Sequence, residues 1–247
     1  LRRRLRKKQA LMIRFSLPPG SAAGPSAKPH AADWNGPIVA PEASQSRNVK
    51  LIHFVRHAQT TANVDDSLKR DPRGVDARLS DDGHKQCLAL HKVIAGLRPD
   101  VVISSPMTRT LQTAFGVGCD PAGPRSHPWG APVVALEAIR EACNFLCDTR
   151  RPLSVIAADF PSVDFAGCAH EEDATWAYYE ATHGSPAAYT QLRERVALPQ
   201  LDPRAREATT WQGTRPESGT VLVSDQGLLA VCVTRGGEEG RGRDAET

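Results

Sequence analysis

The chain has 247 residues, of which 40% are hydrophobic and 24% charged, and it carries a formal net charge of +3. This length and composition are enough for one good-sized hydrophobic core, and they do not require a second domain. The small net charge argues against a nucleic-acid-binding surface, and no apolar run approaches the roughly 20 residues that a membrane-spanning helix needs. We therefore expect a soluble protein whose partners are neither nucleic acid nor membrane.

The two ends of the chain differ in composition from its middle. Residues 1–47 are rich in Arg, Ala, Ser, Pro and Gly, and the basic residues among the first 14 are accompanied by no acid. Such a composition cannot build a core, so we predict a disordered arm over 1–47, one domain over 48–235 and a polar tail over 236–247. An Arg-rich, acid-poor start is also typical of an organelle transit segment, which stands as the alternative to a cytoplasmic location.

The six cysteines follow no secretory signal, and no two of them form a C-x-x-C pair. We therefore expect reduced intracellular thiols and no bound metal. A redox pair formed by Cys143 and Cys147 is the alternative. The cysteines are Cys87, Cys119, Cys143, Cys147, Cys168 and Cys232.

Between the two ends, strand patterns and helix patterns alternate. The strand patterns are "KLIHFVR", "PDVVISS", "PVVAL" and "GTVLVS", each a short apolar run rich in β-branched residues. Ser80 precedes acidic residues and an amphipathic run, which predicts a capped helix, and Pro106 is typical of the first position of the next helix. A further helix is expected at "PAAYTQLRERV" and another after the last strand. This alternation predicts an α/β domain with a largely parallel sheet.

Polar residues follow each predicted strand at the point where it ends. In α/β sheets, ligands bind beyond the carboxyl ends of the strands, so we expect these side chains to share one edge. Guanidinium groups match phosphate oxygens bidentately, and a neutral imidazole can attack phosphorus and hold the phosphoryl group covalently, so Mg²⁺ is dispensable. In chain order the residues are Arg56, His57, Ser104, Ser105, Arg109, Glu141, Ser224 and Asp225.

Four motifs, in this order and spacing, resemble those of the histidine phosphatase superfamily, the phosphoglycerate mutase-like proteins. They are "VRHAQTTAN", "LSDDGHKQ", "SSPMTRTLQTA" and "REACNFLCDTRR". The later run "CDTRRPLSVIAADFPSVDF", followed by "EEDATW", is similar in particular to the broad plant and fungal phosphoglycerate mutase-like proteins.

The resemblance implies a three-layer α/β sandwich with a mostly parallel central sheet and a site for a small phosphorylated molecule, without cofactor or metal. It implies that His57 is the nucleophile and becomes phosphohistidine, and that Arg56 and Arg109 bind the phosphate. Glu141 would protonate the leaving group, and Asn63 would line the same pocket. A mutase role is less favoured, because no residue identifies the contacts to a bisphosphorylated intermediate.

The chain departs from the family pattern after its last predicted strand. The superfamily carries a second histidine there, whereas "VLVSDQGLL" has Asp225 at that position. A carboxylate close to a phosphate repels it, and protonated Asp225 would need a strongly raised pKa to donate a hydrogen bond. Asp225 also suits the N-cap of a helix beginning at Gln226. Two hypotheses follow, a weakened metal-independent phosphatase and an inactive phosphate-binding relative.

Several candidates also have a purely structural interpretation. Arg56 and His57 would then cap a strand, and Arg109 would be a surface arginine. Glu137 lies four residues before Glu141, and either glutamate would be a solvated loop charge. His53 is expected in the core. His84 and His91 lie on a predicted helix, where we expect packing or solvent contact and no ligand.

Overall fold

A computed structural model describes residues 12–17, 50–119, 127–141, 143–184, 204, 206–208, 210–211 and 214–225. Strands and helices alternate along this part of the chain, as the sequence predicts. The strands are β1 Met12–Leu17, β2 Lys50–Arg56, β3 Val101–Ser104, β4 Val133–Leu136, β5 Val163–Gly167 and β6 Gly219–Ser224. The α-helices are α1 Thr61–Val64, α2 Asp81–Ile94, α3 Thr108–Gly118, α4 Leu153–Asp159 and α5 Ala174–His183.

The six strands form one sheet in the order β1-β2-β6-β3-β4-β5. The five strands from β2 to β5 in this order run parallel, and β1 pairs antiparallel with β2 at the edge. The predicted, mostly parallel central sheet is therefore confirmed. The last strand in sequence, β6, lies between β2 and β3, so three carboxyl ends meet at the centre of one edge.

Strand β1 lies inside the segment that composition predicts to be disordered. The prediction of a disordered arm over 1–47 is wrong for Met12–Leu17, because this segment hydrogen-bonds along the free edge of β2. Composition averages over the whole arm and misses a short alternation of apolar and polar residues from Ile13 to Leu17. The rest of the arm and the predicted tail lie outside the described residues.

The core occupies both faces of the sheet, which makes the domain a three-layer sandwich. On one face Phe54 and Ile103 belong to a buried cluster with Trp176 and Tyr179 of α5. On the other face the strands belong to a second cluster with Leu111 of α3 and residues of α2. All four residues of β3 and of β4 are buried, as expected for central parallel strands that are covered on both faces.

Helix α2 begins as the sequence predicts, whereas α3 does not. Ser80 is the N-cap of α2, and its hydroxyl accepts the N–H of Gly83 at 3.0 Å. Helix α3 begins at Thr108, two residues after Pro106, so the prediction of Pro106 at the first helical position is wrong. The N-cap Met107 has no side-chain acceptor, and a carboxylate from a distant loop supplies one instead.

Three elements between 153 and 183 were not predicted as such. Helix α4 has only seven residues, and β5 alternates buried and partly exposed positions at the sheet edge, so neither has a long periodic pattern. Helix α5 is capped by Asp173, whose carboxylate accepts the N–H of Trp176 at 2.7 Å. The helix predicted at "PAAYTQLRERV" lies outside the described residues, and no described helix is long and apolar enough to cross a membrane.

Candidate active site

The sheet order brings the ends of β2, β6 and β3 together. The N–H of His57 donates to the carbonyl of Ser224 at 3.0 Å, and the N–H of Ser105 donates to that of Val223 at 3.0 Å. The residues that follow β2 and β6 are therefore neighbours, which places His57 beside Asp225. Only the crossover topology creates this contact, because 168 positions separate the two residues in the numbering.

A cavity of about 170 Å³ opens at this edge. The five residues to which the family resemblance assigns a role line this cavity: Arg56, His57, Asn63, Arg109 and Glu141. Asp225, at the position of the second family histidine, lines it as well. Ser104, Ser105 and Ser224 do not line it. They are buried, and the Ser104 and Ser224 hydroxyls donate to the backbone carbonyls of Ser105 and Ile139.

The His57 ring is held so that one nitrogen faces the cavity. Its Nδ1 lies 2.7 Å from the carbonyl oxygen of Ala58, which can only accept, so Nδ1 carries a proton. The N–H of Ala58 donates in turn to Thr113 Oγ1 at 3.1 Å, which fixes this loop to α3. Burial lowers the pKa of His57 to about 4, against the opposing effect of Asp225, so the ring is neutral near pH 7. Its Nε2 then presents a lone pair, as a nucleophile must.

A glycine fixes the loop that follows His57. Gly83, in the first turn of α2, packs so closely on the backbone of Gln59 that a Cβ would lie 2.1 Å from the Gln59 carbonyl oxygen. The N–H of Ser80 donates to the same oxygen at 3.0 Å. The helix start thus supports the segment that carries His57.

Arg109, in the first turn of α3, is held by three groups. Its Nε donates to Asp225 Oδ1 at 2.7 Å, Nη1 to the Cys147 carbonyl at 2.9 Å and Nη2 to Asp148 Oδ1 at 3.2 Å. Burial alone would lower the pKa of Arg109, but Asp225 and Asp148 raise it above the ordinary value. The side chain is buried and permanently charged, so the interpretation of Arg109 as a surface arginine is wrong.

Arg109 and the helix that carries it are positioned by two aspartates, Asp76 and Asp148, which were not predicted from the sequence. Asp76 accepts the N–H of Thr108 at 2.9 Å and its hydroxyl at 2.5 Å, and it also accepts from Arg151 Nε at 2.9 Å. It therefore caps α3 from another part of the chain, with a backbone φ of 49° that aspartate tolerates better than most residues. Asp148 accepts from Arg109 and from the N–H groups of Asn144 and Phe145 at 3.2 and 3.0 Å.

Asp225 is 3% exposed and contacts both His57 and Arg109. Its Oδ1 lies 3.2 Å from His57 Nε2 and 2.7 Å from Arg109 Nε. Burial raises the pKa of Asp225, but the charge and the hydrogen bond of Arg109 lower it more, so the carboxyl group is ionised at neutral pH. A protonated Asp225 that donates to phosphate is therefore disfavoured. The predicted cap concerns a helix from Gln226, which lies outside the described residues.

Arg56, Asn63 and Glu141 complete the cavity wall. Burial lowers the pKa of Arg56, with a smaller contribution from Arg109, while Asp225 and Glu141 act in the opposite direction. The side-chain Oδ1 of Asn63 accepts the N–H of Thr60 at 3.1 Å in a capping box, so part of its hydrogen-bonding capacity serves α1. Glu137 does not line the cavity, because its carboxylate binds Arg140 Nη1 at 2.5 Å. Of the two glutamates considered, Glu141 alone reaches the site.

The remaining candidates stay outside the cavity or are unreactive. His53 is buried in β2, His84 is exposed, and His91 Nδ1 contacts the Val117 carbonyl at 2.7 Å. Cys143 and Cys147 are free thiols, and burial raises the pKa of both, that of Cys143 to about 12, which disfavours a reactive redox pair. Among the residues that the structure describes, no three His, Cys, Asp or Glu side chains form a group able to hold a metal.

Comparison with known proteins gives the same family as the sequence motifs. Residues 52–149 match the family model described as histidine phosphatase superfamily (branch 1). The chain is 31% identical over 211 residues to phosphoglycerate mutase-like protein 1 of Arabidopsis thaliana, covering 73% of this chain and 69% of that protein. It is 31% identical over 219 residues to a phosphoglycerate mutase-like protein of the same plant, covering 77% and 76%.

A third relative is named as a phosphatase. The chain is 29% identical over 183 residues to glucosyl-3-phosphoglycerate phosphatase of Mycolicibacterium vanbaalenii, covering 74% of this chain and 72% of that protein. The sequence motifs, the parallel sheet and these relatives agree, and the chain belongs to the histidine phosphatase superfamily.

Proposed function

We propose that this chain is a metal-independent phosphatase that hydrolyses small phosphorylated molecules slowly, through a phosphohistidine at His57. The observation that carries the proposal is the Nδ1 contact of His57 with the Ala58 carbonyl, which leaves Nε2 as a lone-pair donor inside the cavity. Arg56 and Arg109 line the same cavity and supply the positive charge that phosphate requires. A relative named as a phosphatase supports the same reaction class.

The proposed reaction has two steps with balanced atoms. In the first, His57 Nε2 attacks phosphorus, the bond from phosphorus to the ester oxygen breaks, and that oxygen leaves with a proton from Glu141. In the second, water attacks the phosphohistidine, Glu141 takes a proton from the water, and inorganic phosphate leaves while Nε2 recovers its lone pair. Arg56 and Arg109 offset the charge on the phosphoryl oxygens in both steps.

Asp225 is the reason for the expected low rate. Two like charges about 4 Å apart at an effective dielectric constant near 20 repel each other by roughly 4 kcal/mol. The carboxylate also occupies Arg109 Nε, and its contact with His57 Nε2 favours the imidazolium form, which cannot attack phosphorus. Loss of one electrostatic stabiliser typically reduces the rate about 100- to 1,000-fold.

The same contacts favour a second candidate, an inactive phosphate-binding relative. In this alternative Asp225 keeps His57 from attacking, and the two arginines serve only to bind the anion. The two candidates differ in the first half-reaction, because only the phosphatase forms a covalent bond to His57.

Trapping the intermediate distinguishes the candidates. The full chain is incubated with p-nitrophenyl phosphate and a chelator, quenched in alkali, in which phosphohistidine is stable, and analysed by mass spectrometry. We expect release of p-nitrophenol and a phosphoryl group on the peptide that contains His57, and neither in His57→Ala. Equal hydrolysis by wild type and His57→Ala would overturn the phosphatase proposal, and binding of phosphate without any labelling of His57 would favour the inactive relative.

The cytoplasmic location, with an organelle as its alternative, stays a prediction. Fluorescence microscopy of the chain tagged at its C-terminus would check it. Deletion of residues 1–11, which keeps β1 in place, tests whether the basic start of the chain directs targeting.

A further inference from the structure

Asp225 lines the cavity, and one of its carboxylate oxygens has no hydrogen-bond partner in the described part of the chain. Its Oδ1 accepts from Arg109 Nε and contacts His57 Nε2, whereas Oδ2 is buried and has no hydrogen-bond partner among the described residues. Arg56 Nε is likewise buried and has no hydrogen-bond acceptor in this part of the chain. Both residues line the same cavity. The wall therefore offers an acceptor and a donor, and both are costly to bury unpaired.

The ligand that satisfies both groups must itself donate and accept. A fully ionised anion has only acceptors, so it would satisfy Arg56 Nε and leave Oδ2 facing a lone pair. A singly protonated phosphoryl group has one O–H to donate to Asp225 Oδ2 and further oxygens to accept from the arginine. Phosphate monoesters carry this proton below a second pKa of about 6.

The charges around the cavity also favour a ligand with a single negative charge. Arg56, Arg109 and Lys69 line the cavity and contribute three positive charges. Lys69 Nζ is paired with Asp66 at 2.6 Å, and His57 is neutral near pH 7 because burial lowers its pKa to about 4. Against the arginines stand the carboxyl groups of Asp225 and Asp148, both within 3.2 Å of Arg109, and of Glu141 on the side of Arg56. The arginines are therefore already largely neutralised, and a second negative charge on the ligand would be poorly compensated.

We propose that Asp225 makes this cavity selective for the singly protonated, monoanionic form of a phosphoryl group, against its dianion and against sulfate. The inference rests on the proposed phosphate pocket and deepens it, because it gives the aspartate a function in recognition. Phosphate and sulfate have nearly the same shape, but sulfate carries no proton except in strong acid. Binding energy then depends on one hydrogen, and discrimination of this kind is strong when a buried acceptor would otherwise stay unpaired.

The test measures binding of methyl phosphate and of methyl sulfate to the full chain by isothermal titration calorimetry, because a phosphate monoester loses its last O–H at its second ionisation whereas inorganic phosphate keeps one. We expect wild type to prefer methyl phosphate over methyl sulfate at least about 10-fold at pH near 5.5, and this preference to shrink as pH rises to about 8 and the phosphate ester becomes a dianion without an O–H. The sulfate ester is the internal control for pH, because protonation of His57 would strengthen the binding of both anions. The ratio of the two affinities therefore reports only the proton on the ligand. Far-ultraviolet circular dichroism at both pH values checks that the chain stays folded.

Two matched variants separate the hydrogen bond from the charge. Asp225→Asn removes the carboxylate, and we expect the phosphate-to-sulfate ratio to fall to within about 3-fold of one. Asp148→Asn removes a carboxylate that also contacts Arg109, but both of its oxygens already accept hydrogen bonds. It should strengthen binding of both anions and keep the ratio.

The outcomes also distinguish this inference from the proposed function. Equal affinity of wild type for methyl phosphate and methyl sulfate, or tighter binding of methyl phosphate at high pH, would overturn the inference and leave hydrolysis through His57 untouched. A retained phosphate preference in a folded Asp225→Asn would overturn it as well. Selective binding without phosphohistidine would support the inference and count against the phosphatase.

Discussion

Two buried arginine–aspartate pairs lie near each other in this domain, and they differ in how completely they are satisfied. Arg140 binds Asp173 through Nη1 at 2.6 Å and Nη2 at 2.8 Å, and the two carboxylate oxygens also accept the N–H groups of Trp176 and Arg150. In the pair of Arg109 and Asp225, only Oδ1 of the carboxylate is bonded. Both pairs are buried and oppositely charged. They differ because Asp225 has one carboxylate oxygen without a hydrogen-bond partner among the described residues, whereas both oxygens of Asp173 are bonded.

The two pairs have different roles: Arg140 and Asp173 hold parts of the fold together, whereas Arg109 and Asp225 line the cavity. The saturated pair connects the turn after β4 to the start of α5, and the Nη2 of Arg140 also donates to the Asp148 carbonyl at 2.9 Å, behind the cavity. It has no capacity left for substrate. The unsaturated pair lines the cavity, and its spare oxygen is costly in the free protein but useful on binding. Buried charge alone would not have distinguished the two.

Breaking the saturated pair should give the largest effect. In Arg140→Met the Asp173 carboxylate loses its cation while it remains buried, and such changes cost about 3–5 kcal/mol. Urea denaturation followed by circular dichroism measures the loss of unfolding free energy. The matched variant Asp225→Asn should lose less than half as much, because Arg109 keeps the Cys147 carbonyl and Asp148 as partners. Equal losses in both variants would remove the distinction between the pairs.

Restoring a hydrogen-bond donor to the unsaturated pair should raise catalysis. We expect Asp225→His to increase kcat/KM for p-nitrophenyl phosphate by about 100- to 1,000-fold, because the repelling carboxylate is replaced by a donor for the phosphoryl oxygens. Steady-state kinetics in the presence of a chelator measure the change, and the double variant with His57→Ala is the control for contaminating activity. A folded Asp225→His with unchanged turnover would show that Asp225 does not limit the reaction.

The buried His57 makes stability depend on pH with a definite sign. Because burial lowers its pKa from 6.5 to about 4, the unfolded chain binds a proton there more readily than the folded chain. The contribution of His57 is fully present above about pH 6.5 and is lost as pH falls through this window to about 4. We expect the unfolding free energy of wild type, relative to His57→Gln, to fall by on the order of 3 kcal/mol over this range.

Denaturation curves of both proteins at several pH values measure this difference. It should be constant above about pH 7, where His57 is neutral in the folded and the unfolded chain. A difference that does not change between pH 4 and 6.5 would contradict a neutral, desolvated imidazole. It would indicate that the contact with Asp225 cancels the effect of burial, whereas a difference that increases as pH falls would indicate that this contact outweighs burial.

A smaller effect is expected where Asp76 supports α3. Asp76→Asn weakens the acceptor for Thr108 and removes the charge partner of Arg151, so we expect a loss of about 1–2 kcal/mol in unfolding free energy. Asp159→Asn is the matched control, because Asp159 pairs with Arg78 and Arg151 but is 38% exposed at its side chain, where such pairs contribute about 0–1 kcal/mol. Thermal denaturation ranks the two, and a larger loss in the control would refute the capping role of Asp76.

Helices and strands were predictable where a capping residue or an apolar run marks them clearly in the sequence. Ser80 identifies the start of α2, and β3 and β4 are apolar runs of central parallel strands. The start of α3 was missed because its cap comes from Asp76, 32 positions earlier. Strand β1 was missed because its pairing with β2 joins a segment that composition assigns to a disordered arm.

The sequence by itself determined the family, the strand–helix alternation and the identity of the polar residues after each strand, because these depend on short-range patterns and motif spacing. Only the tertiary structure decided that Asp225 lies 3.2 Å from His57 Nε2 and shares Arg109 with Asp148. It also decided that Glu141 and not Glu137 lines the cavity. Such choices depend on the crossover that inserts β6 between β2 and β3, and hydrogen-bond geometry and burial across that crossover cannot be read from neighbours in sequence.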